Sequence, residues 1–508
     1  MLAGSDAAPA GFAYQRELMM YGVNAYSPAA LFYCGCGDGT GNHGSVNWQS
    51  RLFDKGRYNL SPPPNGLSSS LDASAKTGLS IIPYFEYGGS SSLPEEALAV
   101  EADGAKSRFY WGAKRIDGWY CVDMAHPAVA EEFRKILDEL GPVFQAHPNI
   151  KGIELTHRSR AWDISYSDYE LTRFAKESGT AVPAGSRDER ARWIQAHALD
   201  AYWSFHYAKK REVLLAIRDK LRSIRPDLVL YVLNYVADDH VPFGQVLHYA
   251  SPQAKGTRDE FIDPADPLRP CMPRFDDSRL TIPRLNTSID MRSLLEDYRR
   301  PDQDQTGIHP PLYRNDAGIF IWGPMHFAFT AASPAYLEFF RTGGGIAAAN
   351  CWLYNEDAIG NNPAVGLPGL EGTEHAGPFC MMEEVLSVAA ADPVMLGLRM
   401  ADLRRGFPEY AQAFAKAYLA LPALPSEVID AGQRDQDVVV RRIRTDAGAY
   451  VAVINRGFTL AEKSVQLTCF PKGAQVTDLV TGESIPIAAD GSCRVTLAPM
   501  SVRSFLAQ

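Results

Sequence analysis

Short apolar runs and longer stretches with helical periodicity alternate along most of this chain. The runs, rich in β-branched and aromatic residues, are VNAYSPAALFY (23–33), LSIIPYFEY (79–87), NIKGIELTH (149–157), DLVLYVLNYV (227–236), RLTIPRL (279–285), GIFIWG (318–323) and GGIAAANCWL (344–353). Between them lie the helix candidates PAVAEEFRKILDELGPVFQA, SDYELTRFAKESG and ARWIQAHALDAYWSFHYAKKREVLLAIRDKLRSIRP. Pro127 suits the first turn of a helix, where its missing N–H costs nothing, and acids follow in the opening turns. Alternation of this kind predicts βα units and a mainly parallel sheet. Because no Walker loop follows any of these runs, and seven such runs fit a closed barrel, a (β/α)8 barrel is expected in place of an open nucleotide-binding sheet. The first strand has no clear signal: YQRELMMYG reads as the helix before the second strand.

From about residue 433 the period changes to two. VVVRRIRT, AYVAVINRG, KSVQLTCF, AQVTDLVTGE and CRVTLAPMSVRSFL alternate apolar and polar positions, with turns at DAG, TGE and DGS. The stretch before them, from EEVLSVAAADPVMLGLRM to LPSEV, reads as helical and then Pro-punctuated. The expected organisation is therefore a barrel domain over 1–432, ending in a helical linker, and a small antiparallel β-sandwich over 433–508.

The parity of two strands brings in chemistry. Successive side chains of a parallel barrel strand alternate between the helix layer and the lumen. In NIKGIELTH, Ile153 and Leu155 suit the helices, whereas Gly152, Glu154 and Thr156 share the other side, with small neighbours that leave room for Glu154 in the lumen. In LSIIPYFEY the same test puts Glu86 beside Ile82 and Tyr84, near the carboxyl end of its strand. After the last apolar run, AANCWLYNEDAIGN supplies Glu356 and Asp357 beside Trp352, Tyr354 and Asn355. Carboxylates from several strand ends would then meet at one face.

Paired carboxylates are what glycosidic cleavage requires: one protonates the leaving oxygen, and the other acts as nucleophile or activates water. Burial and a like-charged neighbour keep the acid protonated near neutrality. Trp111, Trp119, Trp162, Trp322 and Trp352 follow or end strand candidates and offer faces on which sugars stack. Bland roles compete with each assignment. Glu154 would pair with Arg158, Arg160 or Arg284, Glu86 would be a buried hydrogen-bonding residue, Glu356 would hold a loop, and Asp123 would cap the helix that Pro127 opens.

Composition narrows the partners. A net charge of -10 argues against nucleic acid or an anionic membrane, since both need a basic face, and no run of about 18 apolar residues exists, so neither partner is expected. MLAGSDAAPAGFAYQ lacks the basic-then-apolar pattern of a secretory leader, and the compartment stays open. Eight cysteines in 508 residues are too sparse for a disulfide scaffold, and free thiols are favoured over a Cys469–Cys493 bridge; Cys34 and Cys36 lie in the Gly-rich CGCGDGTGNHG. With no CxxC, HExxH or HxH, neither a cofactor nor a metal site is expected.

WYCVDMAHPAVAEEFRKIL, NIKGIEL followed by SYSDYELTRFAKESGTAVP, the helix ending LRSIRPDLVLYV and the closing AYVAVINRG, VTDLVTGE and LAPMSVRSFL resemble, in their order, a (β/α)8 glycoside hydrolase of the broad clan that includes family 10-like and family 42-like barrels. That resemblance covers most of the chain. It implies an acid/base at the end of the fourth strand, which falls on Glu154, and a nucleophile or base from a late strand, which falls on Glu356 of the Asn355-Glu356 dipeptide. The clan places its acid/base after an Asn, and here Thr156-His157 stands in that place, so Asp163 in the following loop competes for the role. Glu86, Asp163, Asp357, Trp111, Trp162, Trp322, Trp352 and Asn355 would line the substrate site. The expected function is hydrolysis of an oligo- or polysaccharide; the alternative is a non-catalytic carbohydrate-binding or scaffold protein on the same fold. Oligomeric state is open.

Overall fold

The computed structural model describes residues 2–3, 11–37, 44–53, 59–60, 66–90, 92–106, 108–111, 114–157, 165–233, 279–282, 287–290, 319–324, 347–350, 381, 384–385, 388–389, 393–398, 408–429, 437–457, 463–470 and 473–508. Parallel strands follow one another around a ring: β1 (Leu2–Ala3), β2 (Ala25–Tyr26, continued by Ala29–Gly37), β3 (Ser80–Ile81, continued by Tyr84–Gly88), β4 (Gly152–His157), β5 (Val229–Leu233), β6 (Ile319–Pro324), β7 (Ala347–Asn350) and β8 (Pro393–Leu398). Leu2 pairs with Ala25 of β2 on one side and with Gly397 of β8 on the other, which closes the ring. The remaining neighbours are joined through Ala25↔Ser80, Tyr84↔Glu154, Glu154↔Tyr231, Tyr231↔Phe320, Gly323↔Ala349 and Ala349↔Leu396. The predicted (β/α)8 barrel is the fold.

Prolines explain why β2 and β3 each come in two pieces. Pro28 and Pro83 carry no N–H for the ladder, so pairing lapses there and resumes beyond. Register survives the gap, because the Ile82 N–H donates to the Tyr26 carbonyl at 2.9 Å and the Tyr84 N–H to the Pro28 carbonyl at 2.8 Å.

The helices include α1 (Phe12–Met20), α2 (Gly66–Thr77), α3 (Pro127–Ala146), α4 (Asp168–Glu177), α5 (Arg187–His197), α6 (Leu199–Ile224) and α7 (Pro408–Leu419). α3 spans the predicted segment, with Pro127 at its start. The long helix predicted from ARWIQ onward is two, broken at Ala198, whose φ of -144° and ψ of 25° are not helical. Ser186 and Glu189 form a reciprocal capping box that starts α5. No helix among the described residues is long and apolar enough to cross a membrane.

Two strand assignments are corrected. RLTIPRL is not a barrel strand: Arg279–Ile282 pairs antiparallel with Thr287–Asp290. PVMLGL, read as part of a helical linker, is β8; a strand covered on both faces is apolar throughout and has no period to separate it from a helix. β1 was illegible for a simpler reason, since two paired residues are too few to make a pattern.

The C-terminal segment forms β9 (Val438–Thr445), β10 (Gly448–Asn455), β11 (Lys463–Leu467), β12 (Val476–Asp478), β13 (Ser484–Ile485), β14 (Cys493–Leu497) and β15 (Ser501–Ala507). One sheet runs Glu427–Val428, β9, β10, β15, β12, β13, and β11 pairs with β14 in a second. Val440, Val453 and Phe505 of the first sheet share a core with Leu467 and Val495 of the second, which makes the expected sandwich. The other face of the first sheet, through Ala452, Ile454 and Val502, joins the barrel core beside Phe414 and Ala415 of α7. Cys469 and Cys493 are free thiols, as expected, both pushed up to about 11 by burial. The expected boundary at 433 lies outside the described residues.

Candidate active site in the barrel lumen

Contacts of the flanking residues establish which way Glu154 and Glu86 point. On β3, Phe85 and Tyr87 face the helix layer: their rings lie 6.4 Å and 4.6 Å from Phe133 of α3, and the Tyr87 hydroxyl donates to Glu132 Oε2 at 2.9 Å. Tyr84 and Glu86 therefore face the lumen, by the alternation of a strand. Register then carries Glu154 inward with them, since it stands opposite Tyr84 of β3 and Tyr231 of β5, while Thr156 stands opposite Glu86. Ile153 and Leu155, on the other parity, are fully buried members of the core shared with the helices.

The Ser27 Oγ donates to Glu154 Oε2 at 2.5 Å. Ser27 lies at the break in β2 and Glu154 on β4, with β3 between them, so the contact is made across the concave inner side. Glu154 is 4% exposed and Ser27 fully buried. Burial pushes the Glu154 carboxyl up to about 8, and the Ser27 hydroxyl only partly opposes this. Desolvation and the neighbouring Glu154 carboxyl likewise raise the Tyr231 hydroxyl. The lumen thus holds a carboxylic acid with its proton at neutral pH, between two tyrosines.

This has a consequence for stability. The unfolded chain gives up the Glu154 proton near 4.5, whereas the folded chain keeps it to about 8. The stability gained by holding it neutral is complete below the lower value and is lost as pH rises through the upper one, on the order of 1 kcal/mol per pH unit. Urea denaturation between pH 5 and 8 should show wild type losing more stability with pH than Glu154→Gln. Parallel curves for the two proteins would mean that Glu154 is not held protonated.

The register places Glu86 one inward step nearer the carboxyl end of the strands than Glu154, and it is 1% exposed. Trp111 lies on a hairpin strand, Arg108–Trp111, whose partner strand Lys114–Tyr120 extends the end of β2 through Cys36↔Tyr120 and Gly37↔Trp119. Trp322 lies on β6 opposite Leu233. Asp163, Trp162, Trp352, Asn355, Glu356 and Asp357 lie outside the described residues, as do Arg158, Arg160 and Arg284. Ser27 and Tyr231 were not anticipated. Pro28, whose missing N–H interrupts the strand, is the one sequence signal beside Ser27.

Gly152 corrects a reason given for it. It was expected to leave space in the lumen, but a Cβ there would sit 1.8 Å from the Val229 carbonyl oxygen, with φ at +153°. Close approach of β5 demands the glycine.

A second polar cluster lies outside the lumen, where α4 and α6 meet the segment before α3. Asp123, Glu170 and His206 are 3%, 0% and 0% exposed. His206 Nδ1 is 3.7 Å from Glu170 Oε1 and 4.0 Å from Asp123 Oδ1. Asp123 is not the cap of α3: His126 takes that role, its Nδ1 accepting from the Ala128 N–H at 3.2 Å, while Asp123 Oδ1 accepts from the Ala125 N–H at 2.9 Å in the preceding turn. Burial and the Glu170 carboxylate push Asp123 up to about 6. Burial alone would lower His206, but Glu170 and Asp123 outweigh it and raise the imidazole, and burial brings Lys210, one turn along α6, down to about 7. No spacing rule could have found this cluster, because its members come from three separate elements.

No family model matches this chain, and no curated protein matches it. Solved structures that resemble it include an α-amylase from Geobacillus thermoleovorans complexed with acarbose, at a TM-score of 0.47 and 11% identity over 100% of this chain and 98% of that one. An α-amylase from Lactobacillus plantarum gives a TM-score of 0.45 and 11% identity over 100% and 98% of the two chains. The Nostoc punctiforme debranching enzyme gives 0.42 and 12% over 97% and 88%. Likeness at this level assigns no activity.

Proposed function

We propose that this protein is a glycoside hydrolase that cleaves O-glycosidic bonds of an oligo- or polysaccharide with paired carboxylates. The observation that carries the proposal is Glu154: a carboxyl turned into the lumen of a closed parallel barrel, protonated near neutrality and flanked in register by Tyr84 and Tyr231. A protonated carboxyl is what the leaving oxygen of a glycoside needs, since an alkoxide is too poor a leaving group to depart unaided. Glu154 is assigned as acid/base. Glu356, following β7 in sequence, is assigned as nucleophile or base, the role that the resemblance to family 10-like and family 42-like barrels gives it. We infer membership of that clan from the same resemblance.

Glu86 stands nearer the mouth than Glu154, so an entering sugar meets it first. It is assigned with Asp163, Asp357 and Asn355 to hydroxyl recognition, and Trp111, Trp162, Trp322 and Trp352 to stacking on sugar faces. Carboxylates that bind hydroxyls and aromatic rings that cover the C–H faces are complementary parts of one sugar site.

A panel of aryl glycosides and polysaccharides, assayed for released phenol and reducing ends, should yield at least one substrate. Tight sugar binding by the wild type with no product from any member of the panel would leave a carbohydrate-binding barrel in place of an enzyme.

A further inference from the structure

The cluster of Asp123, Glu170 and His206 is not part of the lumen, and the proposed hydrolysis makes no use of it. We infer that these three residues bind a divalent transition-metal ion, of which zinc is the probe, and that the ion pins α4 and α6 to the segment entering α3. This inference stands apart from the glycosidase proposal and does not depend on it.

Geometry carries the argument. The candidate ligand atoms all lie within 4.8 Å of one another. The imidazole Nδ1 faces both acids, at 3.7 Å from Glu170 Oε1 and 4.0 Å from Asp123 Oδ1. Ligands about 2.1 Å from a tetrahedral zinc are roughly 3.4 Å apart, so the imidazole nitrogen has to draw closer to each acid by only a few tenths of an ångström. These separations are those of ion pairs and not of close hydrogen bonds, with the imidazole nitrogen placed between the two acids.

Independent support comes from Glu170. It is wholly buried, and neither of its carboxylate oxygens accepts a hydrogen bond; nor does Asp123 Oδ2. Burying a carboxylate without a hydrogen bond is unfavourable, and such groups are normally paired or coordinate a metal. The nearby cations, His206 at 3.7 Å and Arg173 at 3.9 Å, both stop short of a hydrogen bond to Glu170. The Arg173 Nη1 donates to the Ala125 carbonyl at 3.0 Å.

The donor set selects the ion class. Calcium and magnesium take oxygen ligands, and one imidazole with two carboxylates suits zinc, cobalt or manganese. The elements that supply them are held independently of any ion. Ser167 caps α4 through the Glu170 N–H at 3.1 Å, and His206 lies within the long α6, so the ligands are carried on preformed backbone.

The test is metal binding by the full chain. Protein stripped with a chelator and dialysed against micromolar zinc should retain about one zinc per chain by elemental analysis, and cobalt in its place should give visible d–d absorption of a low-coordinate site. Glu170→Gln and Asp123→Asn should each weaken zinc binding by roughly 100-fold or more, beyond the 10- to 100-fold typical of losing an outer-shell partner. Zinc should raise the melting temperature of wild type and leave that of either variant unchanged. Folded wild type that retains less than about a tenth of a zinc per chain, or lacks the cobalt bands, overturns the inference whether or not the variants fold. So does zinc binding by a folded variant at wild-type affinity.

Discussion

Glu154→Gln is expected to lower turnover of an unactivated glycoside by roughly 10²- to 10⁴-fold, the contribution of a positioned general acid. Glutamine keeps the size of the side chain and an oxygen to accept the Ser27 hydroxyl, whose bond to Glu154 spans 2.5 Å in the lumen. It cannot give up a proton. The loss should therefore appear in kcat and kcat/KM together, with little change in KM, since what is removed acts in the transition state. Far-UV circular dichroism should match wild type. An undiminished kcat on the true substrate would remove Glu154 from the mechanism.

The largest expected effect on stability belongs to the same strand. Gly152→Ala would put a methyl group 1.8 Å from the Val229 carbonyl oxygen and 2.7 Å from its carbon, at a φ of +153°. Both obstacles are backbone, so no side chain can rotate away. The β4–β5 contact has to open where the Val229 N–H donates to the Lys151 carbonyl at 3.0 Å. A loss of about 3 kcal/mol or more is expected, in the range reserved for overpacking and backbone strain. Chemical denaturation of the alanine variant measures it, and a midpoint equal to wild type would show that the strand pair is looser than described.

How much of this was legible in the sequence depends on how each element is covered. The parity of NIKGIELTH was enough to turn Glu154 inward, because Ile153 and Leu155 have one obvious destination and the intervening residues have the other. The same reasoning placed Glu86. It failed on PVMLGL because an apolar strand with both faces covered carries no alternation, and on RLTIPRL because a β-branched run states a preference for pairing without naming its partner. The sandwich was legible almost strand by strand, since its outer residues are polar and its turns use glycines such as Gly448, Gly482 and Gly491 at positive φ. Ser27 and the Asp123–Glu170–His206 cluster were beyond sequence reasoning. Their roles arise when residues far apart in the chain meet, and nothing local distinguishes them from ordinary polar positions.

Delivery of a proton from Glu154 to the leaving oxygen is tested most directly by leaving-group dependence. Wild type and Glu154→Gln should be compared on two glycosides of the same sugar, one with a dinitrophenolate leaving group that departs unprotonated and one with an alkyl alcohol that does not. Near-normal glycosidic cleavage of the first by the variant is expected, with a loss of orders of magnitude on the second. Equal losses on both substrates, or none on either, would contradict proton delivery by Glu154.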